Sequence, residues 1–159
     1  MAKKEVTFCN PKHLEEDLSG TTYIVTGANS GVGFETALQL VKQGAHVVMG
    51  CRSVEVGNEV AQRFSTLKGS YDVMKCDLAD LQSVRDFVDA FLSKYQKLDG
   101  LACNTGMMNM ENTPEYNNDG FEITMEASFY GHFLLAELLL EKYPQLKNLD
   151  AVFRSTCSN

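Results

Sequence analysis

Two rhythms of apolar residues alternate along this chain. Short apolar runs stand at Thr22–Thr26, His46–Cys51, Tyr71–Lys75, Gly100–Cys103 and Ala151–Ser155. The run His46–Cys51 is nearly unbroken, as expected of a strand covered on both faces. Between these runs lie longer stretches whose apolar residues recur every three or four positions. Leu81, Val84, Phe87, Val88 and Phe91 form the clearest such stripe. Ala37, Leu40 and Val41 form another, and so do Val56, Val60, Ala61 and Phe64. This spacing predicts helices over residues 32–43, 54–67, 81–94 and 121–141, with Gly44 closing the first. A polar loop over 104–119 separates the fourth strand from the longest helix, and its length points to a substrate-side loop.

Alternating strands and helices imply a parallel sheet with helices on both faces. The expected fold is α/β, a Rossmann-type doubly wound sheet in the order 3-2-1-4-5 that stops after its fifth strand. Residues 1–18 are polar and read as an N-terminal arm, leaving 19–159 as an incomplete Rossmann-type domain. No repeat or low-complexity segment interrupts it.

The junction between the first strand and the first helix carries the strongest chemical signal. It reads Thr26-Gly27-Ala28-Asn29-Ser30-Gly31-Val32-Gly33. Gly27 lets the chain turn off the strand, Gly31 leaves the backbone open to a pyrophosphate, and Gly33 lets the helix pack close to the strand. The N–H groups around Ser30, Gly31 and Val32 then face an anion, and the helix dipole favours negative charge there. The competing reading is a tight turn that packs well and binds nothing.

The second strand ends at Cys51-Arg52-Ser53. A carboxylate here would bond the ribose 2′-hydroxyl of NAD, whereas an Arg suits the 2′-phosphate of NADP. Arg52 without a carboxylate at the strand end predicts NADPH, with Ser53 and Asn29 as helpers. A solvated surface Arg is the alternative.

Composition narrows the class further. The chain of 159 residues has 14 basic and 21 acidic side chains, a net charge of −7, and no basic run, which argues against a nucleic-acid surface. Five cysteines, with no C-x-x-C pair and no apolar leader over 1–18, suit a reducing compartment and small buried hydrophobes. No metal site is expected. The longest apolar stretch, Phe129–Leu140, is too short to span a bilayer. Cytoplasm or another reduced compartment is expected. A plastid would suit a parent protein, although no transit peptide is evident.

The glycine run resembles that of the short-chain dehydrogenase/reductase family, whose members carry T-G-x-x-x-G-x-G at this point. Further segments place the resemblance near light-dependent protochlorophyllide reductases and retinol-dehydrogenase-like members. These are Met49-Gly50-Cys51-Arg52, Cys76-Asp77-Leu78-Ala79-Asp80-Leu81, Asp119-Gly120-Phe121-Glu122 and Gly131-His132-Phe133-Leu134-Leu135. The resemblance implies that Asp77 and Leu78 frame an adenine; the alternative for Asp77 is an N-cap-type turn residue before the next helix, and both can hold at once. It also implies that Asn104, Thr105 and Gly106 lie beside the cofactor ribose, with Thr105 where the family has a smaller Ala.

The resemblance further implies a Tyr-x-x-x-Lys acid/base pair beyond Thr156, past Asn159. Thr156 takes the place of the Ser that orients the carbonyl, and Ser128 that of an Asn that holds a relay water. Tyr71-x-x-x-Lys75 and Tyr143-x-x-x-Lys147 fit the spacing but not the position: the first lies on a strand, and Pro144 disfavours helix at Tyr143. His132 reads as a hydrogen-bonded core residue. The expectation is the cofactor-binding portion of an NADPH-dependent oxidoreductase, paired through helix 121–141 in a homodimer and acting on a small molecule. The other expectation is a catalytically inactive nucleotide-binding or interaction module.

Overall fold

A computed structural model describes residues 10–108 and 113–148. The elements are β1 (Thr22–Thr26), α1 (Gly31–Lys42), β2 (His46–Cys51), α2 (Val54–Ala61), β3 (Ser70–Lys75), α3 (Leu81–Lys94) and β4 (Gly100–Ala102). A helical run then follows, made of α4 (Ile123–Met125), a π-helical stretch (Glu126–Tyr130) and α5 (Gly131–Lys142). The sheet is parallel, in the order β3-β2-β1-β4. The fifth strand expected at Ala151–Ser155, and Thr156 with it, lies outside the described residues.

Side-chain alternation along β1 assigns the two faces. Ile24 packs with Val48, Phe87, Phe91, Leu135 and Leu139, beneath α3 and α5. Its neighbour Val25 packs with Val47, Met49, Phe34, Val41 and Phe64, beneath α1 and α2. Helices therefore cover both faces, which makes the sheet doubly wound.

Three expected elements differ in detail. The second helix ends at Ala61 rather than near Leu67, and a 3₁₀ turn (Gln62–Phe64) replaces its last turns. The tighter turn buries Phe64 between Phe34 and Tyr71, with ring centroids 5.2 and 5.5 Å away. In α3 the half-buried Leu81 leaves the inward stripe, and buried Ser83 takes its place. There Ser83 Oγ accepts from Asp77 N at 3.0 Å. The long helix begins at Ile123 and is interrupted by the π stretch. Where it resumes, Gly131 lies against Leu78: a Cβ at Gly131 would come within 3.0 Å of the Leu78 backbone carbon.

The described part of the arm is docked on α1. Gln43 Nε2 donates to His13 O (2.7 Å) and Glu16 O (3.1 Å), and Gln39 Nε2 donates to Leu14 O (3.0 Å). Among the described residues, no helix is long and apolar enough to cross a membrane.

Candidate functional site

The three glycines of the first turn occupy three physically different situations. Gly27 has φ +63° and leaves β1 with its N–H bonded to Gly50 O at 2.9 Å. Gly31 has φ +54°, and a Cβ there would meet nothing within 4 Å, so its surroundings are open. Gly33 is buried, and a Cβ there would overlap the Gly27 carbonyl oxygen and Asn104 Nδ2. Ser30 is the N-cap of α1, yet its side chain makes no capping bond. The first-turn amides of α1 thus lack a side-chain acceptor from their own cap and can take an external anion.

These residues form one wall of a cavity of about 500 Å³ at the C-terminal ends of the strands. Asn29, Ser30, Gly31 and Val32 line it on the α1 side, Arg52 and Ser53 after β2, Asp77 and Leu78 after β3, and Asn104, Thr105 and Gly106 after β4. Gly27 also lines it; Gly33 lies behind, at the helix–strand contact. Arg52 is exposed, and none of the ion pairs among the described residues includes it. Ser53 caps α2, accepting from Val56 N at 3.2 Å and donating to Glu55 Oε2 at 2.9 Å. Asp77 Oδ1 accepts from Ala79 N at 3.1 Å, a local turn. The helix cap that follows is Asp80, whose Oδ1 accepts from Gln82 N and Ser83 N at 2.9 and 3.1 Å. Asp77 is therefore a turn residue and not the cap of α3.

Thr26 is the hub beneath this wall. Its Oγ1 accepts from Asn104 N (2.9 Å) and Thr105 N (3.2 Å), and Asn104 Nδ2 donates to Thr26 O at 3.2 Å. The Thr26 hydroxyl lies 2.9 Å from Nε2 of His132, which is 4% exposed. His132 Nδ1 lies 3.5 Å from Ser128 O, and the Thr26 hydroxyl also lies 3.3 Å from Ala102 O. Burial holds the His132 pKa below its ordinary value, so the ring is a neutral structural partner.

Ser128 does not line the cavity. Its Oγ accepts from Met107 N at 3.1 Å and lies 3.3 Å from Met107 O, so it fixes the loop after β4. The tyrosines of the two Tyr-x-x-x-Lys spacings pack against the core. Tyr71 packs edge-on against Phe64, and Tyr143 OH donates to Tyr95 O at 2.9 Å. Burial pushes the Cys76 and Cys103 thiols up to about 12 and Cys51 up to about 11, which makes them inert hydrophobes. Cys9 and Cys157 lie outside the described residues. Among the described residues, no group of His, Cys, Asp or Glu is arranged to hold a metal.

Several cavity residues escape a reading of motifs: Gly50, Val56, Cys76, Ala79, Met107 and Ala127. Gly50 and Cys76 were within reach, since ligands of parallel sheets sit at the C-terminal ends of strands. Ala127 was not, because it arrives from the distant π-helical stretch.

A doubly wound parallel sheet with a glycine-lined crevice between β1 and β4 defines a Rossmann-type domain. The chain belongs to the short-chain dehydrogenase/reductase family, since the short chain dehydrogenase model matches residues 21–151. Human retinol dehydrogenase 11 is 42% identical over 127 residues, which is 79% of this chain and 39% of that protein. Protochlorophyllide reductase A of Arabidopsis thaliana is 43% identical over 129 residues, covering 80% of this chain and 31% of that protein. The solved structure of a metagenomic short-chain oxidoreductase in complex with NADP matches with a TM-score of 0.68 at 26% identity, covering 77% of this chain and 55% of that one. The chain spans less than two fifths of the length of these two curated relatives.

Proposed function

We propose that this chain is the cofactor-binding portion of an NADPH-dependent oxidoreductase. The observation that carries this reading is Arg52: it is exposed at the cavity lining and free of carboxylate partners among the described residues. The cavity fits the coenzyme on its own terms, because Gly31 leaves room for a phosphate and Ser30 leaves the α1 amides open. Ser30, Gly31 and Val32 would hold the pyrophosphate. Arg52, helped by Asn29 and Ser53, would hold the 2′-phosphate. Asp77 and Leu78 would frame the adenine, and Asn104, Thr105 and Gly106 would lie along the ribose. The coenzyme supplies hydride, which in the complete enzyme would pass to a carbonyl or conjugated double bond of a small molecule. Calorimetric titration of the chain is expected to show tighter binding of NADPH than of NADH. Equal affinities would refute the coenzyme assignment.

A second reading, a nucleotide-binding or interaction module without catalysis, is favoured by Ser128. Its hydroxyl is engaged by the Met107 backbone where the family places an Asn. Reproducible NADPH oxidation with any carbonyl substrate would remove that reading.

The exposed side of the long helix supports self-association. Phe129 and Phe133 are 56% and 57% exposed and stack at 6.5 Å, beside exposed Met125. A homodimer through this helix predicts a doubled mass in sedimentation and a monomer for Phe133→Lys. A monomeric wild type would dismiss the pairing.

A further inference from the structure

Behind the cavity wall, one carboxylate is enclosed and only half satisfied. Glu126 is 0% exposed. Its Oε2 accepts from Asn117 Nδ2, while Oε1 is buried with no hydrogen-bond partner. The charged groups that face it are acidic: Asp119 from the preceding turn, and Asp80 from the start of α3. None of the ion pairs among the described residues includes Asp80, Asp119 or Glu126.

A buried carboxylate oxygen with no donor calls for a proton or a cation. A metal finds no arranged ligand group among the described residues. A proton on the unpartnered Oε1 removes the buried charge that nothing else there offsets. Burial pushes the Glu126 carboxyl up, Asp119 and Asp80 push it the same way, and the Asn117 bond opposes them.

Asn117 ties this acid to the cavity. Besides Glu126, its Nδ2 donates to Ala79 O at 3.0 Å. Its Oδ1 accepts from Asp119 N (3.0 Å) and Phe121 N (3.2 Å). Asp119 Oδ2 accepts in turn from Leu81 N at 3.2 Å. Ala79, and Ala127 beside Glu126, both line the cavity. The turn over 115–122, the end of β3 and the π-helical stretch thus share one network centred on Asn117.

We propose that protonated Glu126 is a positioning residue for the cofactor cavity, holding the Ala79 wall and the 115–122 turn through Asn117, and that its ionisation expels the half-paired carboxylate from this site and so releases them. This rests on the coenzyme reading above. The direction with pH follows from the raised carboxyl. The network is complete below the ordinary Glu value of 4.5 and is lost as pH rises through the higher value of the folded state.

The test is calorimetric titration of NADP⁺ into the chain from acid to mildly alkaline pH, with thermal unfolding at each pH. Wild-type affinity is expected to fall as pH rises, by up to about tenfold per pH unit once Glu126 ionises. Glu126→Gln, a neutral mimic of the acid, should keep the low-pH affinity throughout. Asp119→Asn should move the fall to lower pH. Titration of the coenzyme's own phosphate is common to all variants and cancels between them.

Identical pH profiles for wild type and Glu126→Gln would overturn the proposal. So would added Ca²⁺ or Mg²⁺ that tightens wild type alone, since a cation would then fill the contact. If no variant binds NADP⁺ or NADPH, the coenzyme reading fails instead. The unfolding midpoint still decides the proton: a gap between wild type and Glu126→Gln that widens with pH supports it, and a constant gap refutes it.

Discussion

Gly33→Ala is expected to destabilise the fold and abolish dinucleotide binding together. The added Cβ would overlap the Gly27 carbonyl oxygen and Asn104 Nδ2, and would lie 2.9 Å from Gly27 C. Two of these three atoms are backbone, so no rotamer change relieves the contact. Overpacking of this kind costs about 1–3 kcal/mol. Relief requires α1 to lift from β1, which displaces the Ser30–Val32 amides together with the Asn104 loop that Thr26 anchors. Thermal unfolding and NADPH titration on the same sample would check both parts. The control is Gly20→Ala, at positive φ (78°) and with nothing within 4 Å of its Cβ. That variant should lose stability through backbone strain alone and keep binding. A Gly33→Ala protein that binds as well as wild type would show that the close approach is dispensable.

Arg52→Glu is expected to invert the coenzyme preference without disturbing the fold. Arg52 is exposed, and among the described residues no hydrogen bond or ion pair holds it, so its removal breaks nothing internal. A hydrogen bond between a guanidinium and a phosphate is worth about 1.5–3 kcal/mol, or roughly 10- to 150-fold in Kd. NADPH affinity should fall by that factor, and further through repulsion by the new carboxylate. NADH affinity should hold or rise, because a carboxylate at this strand end suits a 2′-hydroxyl. Glu55, three positions on, does not pre-empt that role, since its carboxylate is held by Ser53 and does not line the cavity. Unchanged NADPH affinity in Arg52→Glu would make Arg52 an ordinary solvated side chain.

How much could be read in advance depended on how local each cause was. The third helix was legible in its bounds, although Leu81 leaves the buried stripe and the cap is Asp80 rather than Asp77. Its apolar stripe is regular, and Asp80 stands just before it as a cap bonded to two amides. The second helix was misjudged at its end, because Phe64 leaves helical spacing to reach Phe34 and Tyr71, which come from other elements. The docking of the arm was not legible because its partners, Gln39 and Gln43, lie well along the sequence and look like ordinary helix surface. The π-helical stretch had no signature in the 3.6-residue rhythm. It places Glu126 and Ala127 inward, and it precedes Gly131, which packs against Leu78.

By itself the sequence determined the parallel α/β layering, the glycine turn and the candidate cofactor residues. Apolar periodicity reflects which faces are buried, and positive φ at Gly27 and Gly31 is a property of one residue and its neighbours. Tertiary structure alone decided which side chains answer each other across the fold. The Thr26–His132 bond joins residues 106 positions apart. Asn117 reaches Ala79 across 38, and Ser128 reaches Met107 across 21. Such pairs exist only after helices settle on the sheet, because hydrogen bonds need positions within a few tenths of an ångström and local propensity fixes none of them.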